Sequence, residues 1–396
     1  MAVNFCILFC FCYLCAIMEK LIDIYGVPAL ALAVVVLVLF IVQIVDICRG
    51  NIVAKFKQTT RKQILENQPP ISVIIPLFGE DEEYLKGEFR NLLLQSNENY
   101  EVVAVYVGKE DAFYATLKHL RKFFKHLKTT HIDYTPAYPI TMRMALNLGI
   151  KAASYEHIVI TTPETRLTSR LWADYMARGF MYGDIVLGYC NWERKGGLAN
   201  LFYRKHRFSE VTTYLSSAIR GNHYGASRNC FGFTKSLYFS VKGFDHLDLT
   251  AGEDDLFLQR IATKENVSVI LTPAAYCAEQ CPTAFNSWLT EIYRLGQTRR
   301  YYTIQARNAE GCSMLCRLAF FVAAIGGAVV LPLEFKALCL LLLFIRYIVI
   351  SASWYKRGKR VGETGLAAWE PLYDFAEPWV RFIIRATQKE RISVWR

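Results

Sequence analysis

The chain has 396 residues, 53% of them hydrophobic, and a formal net charge of +11. Such a length holds about two domains, and the apolar share exceeds the ~45–50% of an ordinary soluble protein. No basic stripe interleaved with aromatics runs through it, which excludes a nucleic-acid binder; the excess charge suits anionic membrane lipids instead.

Residues 1–17 (MAVNFCILFCFCYLCAI) lack the early positive charge and small-residue cleavage site of a secretory signal. They read as an extra N-terminal tail, or as sequence ahead of a true start at Met18. Within an anchor segment, 18–49, Val27 to Ile47 is apolar apart from Gln43 and Asp46 and is long enough to cross a bilayer. Arg49, Lys55, Lys57, Arg61 and Lys62 follow, and the positive-inside rule makes that side cytoplasmic.

From Pro70 the pattern becomes short apolar runs alternating with amphipathic helices, the mark of an α/β domain spanning 50–310. Strands are expected at Ile71 to Pro76, Glu101 to Val107, His157 to Thr162 and Asp184 to Cys190. Helices are expected at Asp81 to Gln95, Ala112 to Lys128 and Met142 to Ser154, with a long one between Gly196 and Tyr224. Ligands of open α/β sheets bind beyond the carboxyl ends of the strands. That rule gathers Leu77 to Glu82, Gly108 to Asp111 and Thr162 to Thr165 around one crevice. Glu110 and Asp111 read as the cap of the helix that follows them.

In GEDDLFLQRIA, apolar Leu256, Phe257 and Ile261 recur at helical spacing, which puts Glu253, Asp254 and Asp255 in a first helical turn. There the macrodipole favours the ionised carboxylate. Such a group suits a general base, and equally suits a plain acidic cap. Two further apolar runs, Leu315 to Leu333 and Phe335 to Ser353, break around Pro332 and Glu334 and read as a membrane hairpin over 311–354. Lys356, Arg357, Lys359 and Arg360 then open a cytosolic tail, 355–396. In it Trp369 to Ala386 reads as an interfacial helix, with a fourth span as the alternative. The spans read as free of paired ionisable residues, which argues against a channel or carrier. Cys277/Cys281 and Cys312/Cys316 have C-x3-C spacing but no histidine at ligand distance, so zinc is not expected.

The order PISVIIPLFGEDE, MALNLGIKAASYEHIVIT, DIVLGY, then GEDDLFLQRIA and FNSW at Phe285 to Trp288, with a membrane hairpin after them, resembles the membrane-bound family 2 glycosyltransferases. These are the relatives of cellulose and hyaluronan synthases. The resemblance covers nearly the whole chain and is nearest to shorter single-domain bacterial members. It implies an α/β, GT-A fold with a mostly parallel sheet, one N-terminal and two C-terminal transmembrane helices, and a cytoplasmic main domain on a bacterial inner membrane. It further implies a UDP- or GDP-sugar donor, Mg²⁺ or Mn²⁺ on its diphosphate, and transfer with inversion to a glycan or lipid acceptor. Membrane lipids and polysaccharide-assembly proteins are the implied partners.

Residue by residue, the resemblance makes Asp254 the base and Glu253 its aid in orienting the acceptor. Pro76, Leu77, Glu80, Arg143, Thr162 and Glu164 fall at nucleotide-sugar positions. Arg294, or the set Gln297, Arg300 and Tyr301, stands for a Q-x-x-R-W motif that meets diphosphate and acceptor, with Trp288 and Tyr301 able to stack on a sugar ring. An arginine belongs there because its fork bonds two phosphate oxygens at once. The chain departs from the family at two strand ends. Val105-Tyr106-Val107 lacks the nucleotide-holding Asp, and Thr162-Pro163-Glu164 replaces D-x-D, leaving Glu164 as the one surviving metal ligand where hard cations need several oxygens; Glu110 and Asp111, beside their reading as a helix cap, are the alternative substitutes. Those departures admit a second function, a silenced pseudoenzyme serving as scaffold or regulator of a surface-polysaccharide assembly complex.

Overall fold

The computed structural model describes residues 23–57, 68–79, 82–133, 140–244, 252–282 and 284–387. The N-terminal tail with Met18, the basic residues Arg61 and Lys62, and the site candidate Glu80 lie outside the described residues. The chain forms two compact units, one drawn from Met1–Arg49, Asn308–Trp354 and Glu370–Val380, the other from Gly50–Arg307, Tyr355–Trp369 and Arg381–Arg396.

The larger unit is built on a seven-stranded sheet. Its strands are β1 (Ile71–Leu77), β2 (Tyr100–Val107), β3 (Leu127–Ile132), β4 (His157–Ile160), β6 (Ile185–Leu187), β8 (Phe231–Thr234) and β9 (Val267–Val269), in the order β3-β2-β1-β4-β8-β6-β9. The first four run parallel, and β8 is antiparallel to both its neighbours. Every residue of β1 and β2 is buried. Parallel strands covered on both faces read as unbroken apolar runs, which is why ISVIIPL and EVVAVYV declare themselves. A second sheet of three strands, β5 (Thr165–Leu167), β10 (Cys277–Glu279) and β7 (Cys190–Trp192), stands in the order β5-β10-β7.

Helices α2 (Glu82–Lys86), α3 (Glu88–Leu93), α4 (Ala112–Phe123), α5 (Met142–Ala152), α6 (Trp172–Gly179), α7 (Leu198–Ile219), α8 (Lys235–Ser240) and α9 (Asp255–Ile261) surround the sheets. A side chain at Gly149 on α5 would lie 2.5 Å from Ile74 and 2.9 Å from Val105, so glycine there lets the helix settle directly on β1 and β2. Three sequence expectations need correction. The helix expected over 81–95 is broken at Gly87, which stands between α2 and α3. The helix expected to reach Lys128 stops at Phe123, and Leu127 to Ile132 pair with β2 as the sheet's edge strand. The strand expected over 184–190 is two strands in different sheets, divided at Gly188 and Tyr189.

The smaller unit packs α1 (Val27–Gly50) with the long α11 (Ile304–Val330) and α12 (Leu333–Val361), three helices long and apolar enough to cross a membrane. Val36, Phe320, Ala324, Leu331, Cys339 and Leu342 form the core between them. Their outer faces stay apolar: Val34, Val38, Val322, Val329, Leu340 and Phe344 are all exposed. A helix that is apolar all round belongs either in a large core or across a bilayer.

Arginines in two of these candidate spans pair with acids on a further helix, a pairing the sequence reading did not anticipate. Arg346, fully buried on α12, donates to Asp374 at 2.5 and 3.1 Å and to Gln43 at 3.2 Å. Arg317 joins Asp374 at 3.2 Å and Glu377 at 2.6 Å. Both acids belong to α13 (Glu370–Thr387), whose Leu372, Phe375, Trp379, Phe382 and Ile383 face outward.

Candidate functional site

β4 ends at Ile160, and Thr161 is held to β1 by its N–H on the Ile74 carbonyl at 3.1 Å. Thr162 follows, buried, its hydroxyl donating to Asn229 Oδ1 at 2.8 Å and lying 3.2 Å from the Thr165 hydroxyl. Asn229 belongs to a tight turn, 227–230, that feeds β8. Because β8 runs antiparallel to β4, its beginning lies beside the end of β4. The turn closes with the Cys230 N–H on the Ser227 carbonyl at 2.9 Å, and Arg207 donates to the Ser227 hydroxyl at 3.3 Å.

The acidic run reaches this turn. Asp254 Oδ2 accepts the Arg228 N–H at 3.3 Å, and its Oδ1 accepts the Asp255 N–H at 2.8 Å. Asp254 is therefore two short steps from Thr162, through Arg228 and Asn229, and only 7% exposed. No ion pair engages it among the described residues. Gly252, at φ +111°, supplies the backbone turn just before these acids, a region where a side chain is strained. The acids do not all sit inside the helix as expected: α9 starts at Asp255, and Asp254 is its N-cap.

Asp255 is a different carboxylate. Its Oδ2 accepts hydroxyls from Thr298 and Tyr302, each at 2.6 Å, and its Oδ1 accepts the Leu256 N–H at 2.7 Å. Burial, and then the negative charge of Asp254, push it up to about 7 despite those bonds. The helix-start field that was expected to favour ionisation is outweighed here by desolvation. Glu253 is buried as well. Thr298 closes α10 (Phe285–Arg299), so Asp255 ties the end of α10, with neighbours Gln297, Arg300 and Tyr301, to the acidic run. Arg300 and Tyr301 are exposed and Gln297 is half-buried. Arg294 lies on α10, but its side chain is outside the described residues.

Other sequence candidates fall elsewhere. Trp288 is 1% exposed and stacks on Tyr203 with ring centroids 5.1 Å apart, in a cluster with Trp192 and Cys281. It is core, and its buried ring cannot stack on a sugar. Leu77 is fully buried in the sheet core and Pro76 is buried within β1, so neither side chain reaches the crevice; only backbone at that strand end can. Arg143 lies in the first turn of α5, after the N-cap Thr141. Asp111 caps α4 by accepting the Tyr114 N–H at 2.9 Å, and also accepts the Tyr106 hydroxyl at 2.6 Å. Those bonds, that of Tyr106 foremost, hold its carboxyl below the usual range.

The metal fit fails on the observed donors. The Thr162 hydroxyl is engaged by Asn229, Glu164 is exposed in the turn before β5, and no group of three His, Cys, Asp or Glu converges among the described residues. Hard divalent cations take six or more oxygens, mostly carboxylate. Sequence reasoning also missed Arg228 and Asn229. Their signal is the packing of a turn against residues far away in the chain, which no local periodicity reveals.

Known proteins bear on this arrangement. No curated protein matches the chain in sequence. Among solved structures, the mannosyltransferase PcManGT from Pyrobaculum calidifontis, in complex with GDP-Man and Mn²⁺, is 17% identical, with a TM-score of 0.53 over 87% of this chain and 99% of that one. TarS 1–349 of S. aureus, in complex with UDP-GlcNAc, is 16% identical, with a TM-score of 0.40 over 76% and 92% of the two chains. The first of these likenesses speaks to fold, and the fold is GT-A. The family model for glycosyl transferase family 21 matches residues 38–396, and the chain belongs to that family.

Proposed function

We propose that this protein is a membrane-anchored glycosyltransferase that moves a sugar, with inversion, from a UDP- or GDP-sugar to a glycan or lipid acceptor. The observation that carries the reading is Asp254, buried and free of any described ion pair, beside the carboxyl end of β4 where an α/β sheet binds its ligand. Asp254 takes the proton of the acceptor hydroxyl, and that oxygen attacks the anomeric carbon. The bond to the diphosphate breaks on the opposite face, so the nucleoside diphosphate departs with the bonding pair and the configuration inverts. Glu253 and the end of α10, with Gln297, Arg300 and Tyr301, frame the acceptor side. The likeness to a mannosyltransferase solved with GDP-Man supports a nucleotide-sugar donor. Although PcManGT holds Mn²⁺, the donors at the end of β4 here do not suit Mg²⁺ or Mn²⁺, and no step is assigned to a metal.

The three apolar helices support an integral membrane protein, and the basic residues flanking them support a cytoplasmic main unit. A silenced scaffold is the second reading, favoured by one observation: the hydrogen-bonded Thr162–Asn229 pair fills the place of a metal ligand. Purified protein offered a panel of sugar nucleotides separates the two. Release of nucleoside diphosphate, lowered by about 10²–10⁴-fold in Asp254→Asn, is the expected result; silence across the panel favours the scaffold.

A further inference from the structure

We propose that the Arg228 guanidinium supplies the positive charge that holds the donor's diphosphate, in place of a divalent cation. The inference rests on the transferase reading above. A departing nucleoside diphosphate develops charge that a fixed cation has to meet, and the metal fit at the end of β4 fails. Most arginines around the strand ends are already committed. Arg166 pairs with Glu88 at 2.6 Å and Glu193 at 3.6 Å, Arg204 pairs with Glu363, Arg207 with Glu210 and Glu279, and Arg299 with Glu210 at 3.0 Å.

Arg228 differs from all of these. Its backbone N–H is on Asp254, yet its guanidinium bonds to no carboxylate among the described residues, Asp254 included. The turn that carries it is fixed at several points: Ser227 by Arg207, Asn229 by Thr162, and the Asn229 carbonyl by the Cys277 thiol at 3.6 Å. Ser227, Asn229 and Cys230 are buried to 2% or less, while Arg228 is half-buried. A turn fixed at these points thus carries an arginine whose backbone touches the proposed base, at the strand end where an open α/β sheet binds its ligand. Its planar fork matches two phosphate oxygens at once, which a lysine cannot do. Charge and geometry are thereby prepaid, as preorganised sites require.

The test is calorimetric titration of the detergent-solubilised full chain with UDP and with GDP in excess EDTA, alongside Arg228→Ala, Arg228→Lys, Arg143→Ala and the surface control Lys86→Ala. The expected result is metal-free binding of one nucleotide by the wild type. Arg228→Ala then weakens it tenfold or more, Arg228→Lys restores part of it, and Lys86→Ala changes nothing; unfolding temperatures confirm that each variant is folded. Two results overturn the proposal while leaving the transferase reading intact: wild-type binding that appears only with Mg²⁺ or Mn²⁺, and metal-free binding lost in Arg143→Ala but not in Arg228→Ala. Failure of the wild type to bind either nucleotide, with or without metal, overturns the transferase reading itself and this proposal with it.

Discussion

In the smaller unit, Asp374 and Glu377 are buried against Arg346 and Arg317; in the larger one, Asp254 and Asp255 are buried against each other. The first arrangement cancels its charges, two acids against two bases, and packs Arg346 over the rings of Phe321 and Phe320 as well. The second sets two carboxyl groups side by side and, among the described residues, meets them with hydroxyls and backbone N–H groups. A matched cluster fastens helices together. An unmatched one costs stability, and such cost concentrates where chemistry is done.

Four single substitutions and one double variant break or sharpen that contrast. The largest effect falls on Asp254→Asn, which removes the proposed base and lowers nucleoside diphosphate release by about 10²–10⁴-fold with the fold intact. Asp374→Asn comes next. It leaves Arg346 buried without its carboxylate and destabilises the protein by about 3–5 kcal/mol, measured by thermal unfolding in detergent. Arg346→Met combined with Asp374→Leu recovers most of that loss, because a buried ion pair and a well-packed apolar pair are of similar worth; no recovery would assign the cluster a role beyond packing.

Asp255 gives the third test through pH. Its folded value of about 7 lies above the ~3.9 of an unfolded aspartate. Between those values the folded chain keeps a proton that the unfolded chain has released. Stability therefore falls as pH rises through that window, by up to about 1.4 kcal/mol per unit, and the loss is complete above 7. Asp255→Asn flattens the curve of unfolding temperature between pH 4 and pH 7; a curve parallel to the wild type would mean that Asp255 ionises like an ordinary carboxylate. The smallest effect is that of Tyr302→Phe, which removes one of the two hydroxyls on Asp255 and costs about 1 kcal/mol. Faster amide hydrogen exchange at the end of α10 reads it out.

Legibility in the sequence followed the range of the forces involved. β1, β2 and the α5–β4 pair could be read because burial on both faces leaves apolar runs with helical stretches between them. β3, with the sequence LKTTHI, could not: as an edge strand it is mostly half-buried, so its polar residues mimic the end of a basic helix. The strands of the second sheet are three residues each, too short for any period to register. At the site, the acidic run was legible through family resemblance, whereas its division of labour was not. The ionisation of Asp255 depends first on its burial, then on Asp254, and only then on hydroxyls such as that of Thr298, 43 residues away, and Trp288 looked like a sugar platform until Tyr203 covered it. Arg346 stood in plain view within an apolar run, but its partner lies 28 residues later, on another helix.

That last separation bears on what α13 contributes. Arg346 meets Gln43 on α1 and Asp374 on α13, so three helices far apart in sequence share one buried cation. A charge taken out of water needs its counter-charge close by. A chain cut before Glu370 would keep the three long apolar helices and lose the carboxylates that answer Arg346 and Arg317.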